Sequence, residues 1–142
     1  MAVRGEPRVT RSVKTMRTKA HAPDSVPSPI GNYSLGLELP AGARILFISG
    51  QIPETRDGEI PQAFEDQCNL VWDHILSILR SANLSATNLV KVTTFLTRRE
   101  DAEANGRIRQ ERLGPHAPAL TVVVAQTLDP RWLLEIEALA AD

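Results

Sequence analysis

The segment from Leu120 to Ala125 is apolar at every position except Thr121. A strand-length run of this kind is typical of a strand that is buried on both sides. Only two helices can be recognised in the 142-residue chain, and two helices cover one face of a sheet rather than both. We therefore expect other copies of the chain to cover the second face, so the pattern itself predicts an oligomer.

Two segments have the spacing of helices. Pro61 suits the first turn of a helix, where its missing N–H is not needed, and Asn83 is a reasonable end. Between them apolar side chains recur mostly at three- and four-residue steps, which is one helical face: Phe64, Cys68, Val71, Ile75, Ile78, Leu79 and Ala82. The second helix is predicted to begin at the capping-box pattern Thr97 to Glu100 and to run to about Leu113, before Gly114-Pro115.

Strand patterns occupy most of the remaining chain. They are Tyr33 to Leu39, Arg44 to Ser49, Leu89 to Leu96, Leu120 to Gln126 and Leu133 to Ala140. The first two are separated by four residues with turn chemistry and are predicted to form a hairpin. The element order is then ββαβαββ, an α+β domain with a mixed sheet. Because crossover connections between parallel strands are right-handed, both helices are expected on one face of that sheet.

Composition places the chain among single-domain globular proteins. It is 42% hydrophobic and 23% charged, and its length allows a sizeable core. The single cysteine, Cys68, excludes an intrachain disulfide and fits a reducing compartment. No apolar run approaches 18 residues, the length expected of a membrane span. We predict a cytoplasmic protein without a membrane partner.

The amino-terminal residues differ from the rest in charge. Residues 1–19 contain six basic residues and one acidic residue. We interpret residues 1–19 as a disordered basic extension and residues 20–142 as the folded domain. Contact with nucleic acid is the less favoured alternative, because the extension has no aromatic side chain to stack on bases.

No cofactor pattern is present in the sequence. The three histidines, His21, His74 and His116, are scattered, and Cys68 has no neighbouring partner for a metal site. The chain also lacks a phosphate loop, a dinucleotide-binding glycine pattern and a nucleophile elbow. We expect neither a metal nor an organic cofactor.

Two segments carry candidate functional side chains. The run from Arg44 ends at Ser49-Gly50-Gln51, which suits a buried strand that delivers Ser49 and Gln51 to a cavity edge. The alternative is that these side chains satisfy nearby backbone groups in a turn.

The last strand places a carboxylate among apolar neighbours. Leu134, Ile136 and Ala138 share one face of this strand, so Glu135 and Glu137 share the other. Two close carboxylates raise the pKa of one of them, which suits proton transfer. The alternative is an interface ion pair with an arginine of another copy.

Several short segments, taken in order, resemble one family. They are Pro29 to Ser34, Phe47 to Pro53, Asn88 to Leu96, Asn105, Pro118-Ala119 and Glu135 to Ala138. Over about residues 20–140 the chain resembles the RidA/YjgF family of small homotrimeric enamine/imine deaminases. The resemblance implies a chorismate-mutase-like α+β fold, with the helices on one face and a trimer around the other, and three small-molecule pockets at the subunit interfaces.

The resemblance also implies roles for individual residues. Glu135 would activate or position the attacking water, while Tyr33, Ser49 and Asn105 would line the pocket, with Asn105 matching only if the helix contains a one-residue gap. The family has a carboxylate-binding arginine after the Pro-Ala pair, where this chain has Leu120, followed by Thr121, whose backbone would help line the site. Leucine cannot replace a bidentate guanidinium, and losing such a contact costs about 2–5 kcal/mol.

The missing arginine leaves alternatives open. The pocket can be apolar at Leu120 and accept a substrate without a carboxylate, or Arg131 or Arg107 can compensate from another position. Arg107, Arg109 and Arg112 are otherwise interpreted as a solvated helix face. Asn105 fits a solvated face as well as it fits a pocket, and Tyr33 fits a core or interface anchor as well as a pocket.

These observations predict a divergent member of the family. Our first hypothesis is a hydrolase of small reactive enamines or imines, without the usual 2-aminoacrylate activity because Leu120 replaces arginine. The second is a non-catalytic ligand-binding or regulatory trimer. A third and weaker reading is RNA contact or cleavage, supported only by the basic extension.

Overall fold

The computed structural model describes residues 17–142, so the predicted basic extension lies outside the described residues except for its last three. Within them the chain forms six strands and two helices. Their bounds are β1 Lys19–His21, β2 Gly36–Glu38, β3 Ile45–Gln51, α1 Phe64–Ser81, β4 Leu89–Leu96, α2 Ala102–Leu113, β5 Ala119–Val124 and β6 Leu134–Ala141. Short 3₁₀ turns at Ala86–Asn88 and Arg99–Asp101 precede β4 and α2.

The main sheet has the strand order β3-β6-β4-β5. The last strand of the chain, β6, therefore lies inside the sheet and pairs antiparallel with both β3 and β4. Strands β4 and β5, which α2 connects, are parallel. The structure is thus the mixed α+β domain that the sequence predicts.

The predicted hairpin between the first two strands is wrong. The turn itself forms, because Ala43 N donates to Pro40 O at 3.3 Å. However, β2 pairs with β1 in a separate two-stranded sheet, and β3 pairs with β6. Pairing with β6 places Ile48 of β3 opposite Ala138, and both side chains are buried. The three-residue β2 offers no comparable core partner.

Both helices pack on one face of the main sheet. Along β4, Val92, Thr94 and Leu96 are buried, whereas the alternating Lys91, Thr93 and Phe95 are only half-buried. The predicted stripe of α1 is confirmed as the side that meets this face. Its fully buried members, together with an aromatic neighbour on the same helix, are Cys68, Val71, Trp72, Ile75 and Leu79.

The predicted capping box of the second helix does not form. Thr97 Oγ1 donates to Leu133 O at 3.3 Å, which ties the end of β4 to the start of β6. Arg98 instead binds Asp101 through Nε and Nη2, at 2.8 and 3.1 Å from the two carboxylate oxygens. The chain therefore makes one 3₁₀ turn first, and α2 begins at Ala102.

The opposite side of the main sheet, which we call the open face, is uncovered in the single chain. Ile45 and Phe47 on β3 are 46% and 74% exposed, and Val123 on β5, which lies opposite Phe95, is 41% exposed. On the helix-facing side of β5, Val122 and Val124 are also 37% and 49% exposed, so the single chain buries neither side of this strand. Its predicted coverage by other copies stays a prediction. No helix among residues 17–142 combines the length and apolar character needed to cross a membrane.

Candidate active site

The predicted site residues fall into two groups on opposite faces of the main sheet. Glu135 pairs in register with Phe95 on the open face. Leu120 pairs with the fully buried Val92 and packs against the core on the helix-facing side. Within one chain, the sheet therefore separates Glu135 from Leu120.

On the open face, the Glu135 side chain lies over the backbone of Gly50. A Cβ built on Gly50 would lie 2.8 Å from Glu135 Cδ and 3.0 Å from Cγ, so only glycine fits without moving the carboxylate. The register of β3 against β6 shifts between Ile48 and Gln51. Gly50 is thus a site residue beyond those predicted, although a glycine inside a strand is itself a sequence signal for close approach.

The Glu135 carboxylate is half-buried and accepts no hydrogen bond from any of residues 17–142. Glu137, two residues on, is exposed. The alternation predicted for this strand is confirmed, since Leu134, Ile136 and Ala138 are buried. An unpartnered carboxylate beside an exposed edge is available to accept a proton from water.

Ser49 and Gln51 behave differently from each other. Ser49 is exposed next to Gly50, so we group Ser49, Gly50 and Glu135 as the Glu135 cluster. Gln51 Nε2 donates to Ser49 O at 2.9 Å. The local-backbone alternative therefore describes the Gln51 side chain in this structure.

Gln51 also borders an open cleft of about 340 Å³ between the loop after β3 and helix α1. His74 lines this cleft, and its Nε2 lies 2.9 Å from Glu54 O. Of the residues predicted for the site, only Gln51 lines this cleft. The lining residues are Gly50, Gln51, Ile52, Glu54, Thr55, Arg56, His74, Ser77 and Ile78.

The second group lies near the start of β5. Ser34 N donates to Pro118 O at 3.1 Å, and Ser34 Oγ donates to Ala117 O at 2.6 Å. These bonds hold the loop that carries the half-buried Tyr33 against the Pro118-Ala119 segment. Two segments that are 80 residues or more apart in the chain are thereby brought together.

Asn105 lies in helix α2, whose carboxyl end contacts the same loop, because Asn32 Nδ2 donates to Gly114 O at 3.3 Å. It is only 2% exposed, and its Oδ1 has no hydrogen-bond donor among residues 17–142. The solvated-face interpretation is therefore wrong for Asn105. We refer to Tyr33, Asn105 and Arg109 as the α2 cluster.

Arg109, one helical turn after Asn105, is also not solvated as predicted. It is half-buried, and this burial lowers the pKa of its guanidinium, a shift that nearby Cys68 and Tyr33 oppose. Arg112 is half-buried as well, but it donates to Asp73 and Asn69. Arg107 is exposed and ion-paired with Glu65, as a solvated helix face predicts.

Leu120 and Thr121 point to opposite sides, as predicted. Leu120 packs against the core, whereas Thr121 Oγ1 accepts a hydrogen bond from Lys91 Nζ at 2.7 Å on the open face. Arg131, proposed above as a replacement anchor, is bound to Asp129, with Nη2 2.7 Å from Oδ2. These hydrogen bonds lower the pKa of the Asp129 carboxyl, so Arg131 already has a partner.

The described residues contain no cluster of three metal ligands, and their one thiol is buried. No three His, Cys, Asp or Glu side chains of residues 17–142 converge as a metal site. Cys68 is fully buried, and burial raises the pKa of its thiol to about 12. This thiol therefore stays protonated at neutral pH and is a poor nucleophile.

Comparison with known proteins places this geometry in context. The model of the family described as endoribonuclease L-PSP matches residues 23–142. The RutC family protein PH0854 of Pyrococcus horikoshii is 34% identical over 119 residues, which are 82% of this chain and 92% of that protein. The Escherichia coli protein named "Putative reactive intermediate deaminase TdcF" is 32% identical over 118 residues, or 80% and 89% of the two chains.

Solved structures agree with these matches. The Rid family protein YyfB of Yersinia pestis superposes with a TM-score of 0.78 at 25% identity, covering 89% of this chain and all of that chain. Escherichia coli TdcF with bound serine superposes with a TM-score of 0.65 at 31% identity, covering 87% and 98%. The family and the mixed α+β fold predicted from the sequence are confirmed. The predicted order ββαβαββ is found only after an additional strand, β1, which the sequence analysis did not predict.

Proposed function

The chain belongs to the endoribonuclease L-PSP family, that of the RidA/YjgF proteins, and from this premise we propose that it hydrolyses small reactive enamines or imines. The observation that carries the proposal is the Glu135 carboxylate, which lies over Gly50 without a hydrogen-bond donor in the described part of the chain. The deaminase named among the relatives supports the same reaction class.

The chemistry requires a base and a positioned water. An enamine first takes a proton at carbon and becomes an iminium ion. Glu135 then accepts a proton from water as its oxygen bonds to the iminium carbon, and the resulting carbinolamine loses ammonia or an amine to leave a carbonyl compound. A carboxylate placed within one water of the reacting carbon suits this general-base step.

We further propose that the active form is a homotrimer. The open face exposes Ile45, Phe47 and Val123, an apolar patch of the kind that marks an interaction surface. The Glu135 cluster and the α2 cluster lie on different sides of one chain, so a pocket that contains both needs residues of two copies. This arrangement supports small-molecule pockets at subunit interfaces. The single cysteine, Cys68, fits the reducing compartment of a cytoplasmic enzyme.

Leu120 bears on the choice of substrate. Its side chain packs against the core where the resemblance calls for a carboxylate-binding arginine. We therefore propose weak activity toward 2-aminoacrylate itself. Substitution Leu120→Arg tests this point, since an otherwise intact site should gain 2-aminoacrylate turnover.

The decisive experiment measures imine decay with wild type and Glu135→Gln in parallel. Imines of 2-oxo acids and matched imines without a carboxylate are generated in the assay, and release of ammonia is followed. Loss of the base should slow turnover by about 100-fold or more. Glu137→Gln, on the same strand face, is the matched control and should keep the wild-type rate.

Equal decay with wild type and Glu135→Gln for every imine would overturn the proposal. It would favour the alternative, a non-catalytic ligand-binding or regulatory trimer, which the apolar Leu120 position supports. In that case a ligand that raises the melting temperature should be recovered chemically unchanged.

A further inference from the structure

We propose that His74 is a positioning residue for the Glu135 site: it binds the loop that follows β3 and thereby holds the Gly50 backbone against the Glu135 carboxylate. The loop consists of residues 52–61, between the end of β3 and the start of α1, and we call it the β3–α1 loop. The inference deepens the proposed function and rests on it for the reaction rate, whereas the placement of Gly50 can be measured without any reaction.

Helix α1 anchors the β3–α1 loop through two side chains. His74 Nε2 lies 2.9 Å from Glu54 O, and because a carbonyl oxygen only accepts, Nε2 carries the proton and donates it. Gln67, about two turns earlier on α1, donates to Pro61 O at 2.7 Å. Gln67 therefore fixes the end of the loop next to α1, and His74 fixes the end next to β3.

The tip of the loop bonds only to itself within residues 17–142. Thr55 N donates to Glu59 O and Gly58 N donates to Thr55 O, both at 2.9 Å. Glu59 N also donates to Thr55 Oγ1 at 3.0 Å. The tip is therefore a closed turn without a further hydrogen bond to the described part of the domain, so the anchor near β3 depends on His74.

A tight turn links this anchor to β3. Glu54 N donates to Ile52 O at 2.9 Å, which closes a three-residue turn centred on Pro53. Pro53 is buried, and its ring fixes one of its two backbone dihedrals. A displacement of Glu54 O is therefore passed to Ile52 rather than absorbed between them.

The next link reaches Gly50 itself. Gln51 Nε2 donates to Ser49 O at 2.9 Å, which spans the Gly50 backbone. The Glu135 carboxylate lies on that backbone, since a Cβ built on Gly50 would be 2.8 Å from Glu135 Cδ. A contact this close means that a shift of Gly50 moves the proposed base.

The space beside the loop makes such a shift possible. An open cleft of about 340 Å³ separates the loop from α1, and both Gly50 and His74 line it. Close packing therefore does not set the distance between the loop and α1 along this cleft. The His74 hydrogen bond sets it instead, and removing the bond lets the loop move relative to Glu135.

The experiment compares two substitutions of His74 in the imine-decay assay. His74→Leu removes the donor and should lower kcat by about 10- to 100-fold while KM changes by less than about threefold. His74→Gln keeps an N–H at a similar reach and should restore kcat to within about threefold of wild type. A loss of stability alone would not produce this difference between kcat and KM or its rescue by glutamine.

Ser77→Ala is the matched control on the same helix. Ser77 lines the same cleft, but its Oγ accepts from Arg80 Nη2 at 2.9 Å and bonds to no loop residue among those described. This variant should keep the wild-type kcat and KM. Circular dichroism establishes that each variant is folded, and His74→Met replaces His74→Leu if the latter does not fold.

A second readout needs no substrate. In amide NMR spectra the Gly50 signal should move in His74→Leu and stay at its wild-type position in His74→Gln and Ser77→Ala. The carboxyl carbon signal of Glu135 should follow the same pattern. These signals report the placement of the two residues directly.

The inference is overturned if His74→Leu leaves the Gly50 and Glu135 signals in place, or if His74→Gln is as impaired as His74→Leu. It can fail separately from the proposed function. Turnover that depends on Glu135 but not on His74 would remove the positioning role alone. Signals that move in His74→Leu, in a protein that hydrolyses no imine, would remove the hydrolase and leave His74 as the residue that places Gly50.

Discussion

Gly50 shows how the absence of one methyl group determines where a carboxylate lies. The space that a Cβ would need is filled by the Glu135 side chain, down to its Cγ. The obstacle is a flexible side chain rather than backbone, so the two positions should be energetically coupled without being essential for folding.

We expect Gly50→Ala to destabilise the wild-type background by about 1–3 kcal/mol, because it crowds Glu135. In a Glu135→Ala background the same substitution should cost much less. Urea denaturation of the four proteins gives the coupling energy. Gly36→Ala, where the nearest atom to the new Cβ lies at 3.7 Å, is the control. Equal effects of Gly50→Ala in both backgrounds would contradict the contact.

Cys68 makes stability depend on alkaline pH. Burial raises the pKa of its thiol to about 12, from an ordinary value near 9. Because the folded state holds this proton more tightly than the unfolded state does, the contribution is complete below pH 9 and is lost progressively as the pH rises toward 12.

The matched comparison is with Cys68→Ala, which lacks the titrating group. At pH 8 the variant should be the less stable protein, because it leaves a cavity. The difference in unfolding free energy between wild type and Cys68→Ala should narrow between about pH 9 and pH 11. Over this range, keeping the buried thiol protonated costs free energy in wild type alone. A difference that stays constant across this range would show that Cys68 ionises normally in the folded protein.

At the scale of elements, Gln67 joins helix α1 to the segment that precedes β6. It is 1% exposed, and its Nε2 donates to Pro61 O and Arg131 O at 2.7 and 2.8 Å. Its Oε1 accepts from Leu133 N at 2.8 Å. One side chain thus satisfies three backbone groups from two distant segments.

Gln67→Leu should destabilise the protein by about 2–4 kcal/mol, because it leaves these three partly buried backbone groups without partners. The exposed Gln62 lies five residues earlier, and Gln62→Leu should change stability by less than about 0.5 kcal/mol. Urea unfolding measures both. Similar small effects at the two positions would mean that water replaces the amide of Gln67.

Elements differ in how well the sequence predicts them. The face of α1 and the alternation of β6 follow from local periods, and both are confirmed. The predicted hairpin is wrong because strand pairing is non-local. Strand β3 pairs with β6, some 90 residues away in the chain, and not with β2. The predicted capping box does not form because Thr97 donates to Leu133 O and Arg98 binds Asp101.

At the scale of the whole molecule, the open face leads to a prediction about assembly. Phe47 is 74% exposed and lies opposite Leu139 in the register of β3 and β6. A charge at this position would be buried in the proposed trimer, at a cost of several kcal/mol for each copy.

We therefore expect the Phe47→Lys variant to be a monomer at concentrations at which the wild type is a trimer. Gln62→Lys adds the same charge on the exposed start of the α1 region and should leave the trimer intact. Size-exclusion chromatography with light scattering gives the masses. A wild-type monomer, or a trimer that tolerates Phe47→Lys, would contradict assembly through the open face.

The sequence alone determined the two helices, five of the six strands of residues 17–142, the side of β6 that carries Glu135, and the family, because each depends on spacing or on short motifs read along the chain. Only the tertiary structure decided that β6 lies inside the sheet, that Glu135 and Leu120 occupy opposite faces, and that Arg109 is half-buried beside Asn105. The reason is physical. Periodicity fixes which way a side chain points from its own element, whereas its neighbours depend on pairings between residues far apart in the chain.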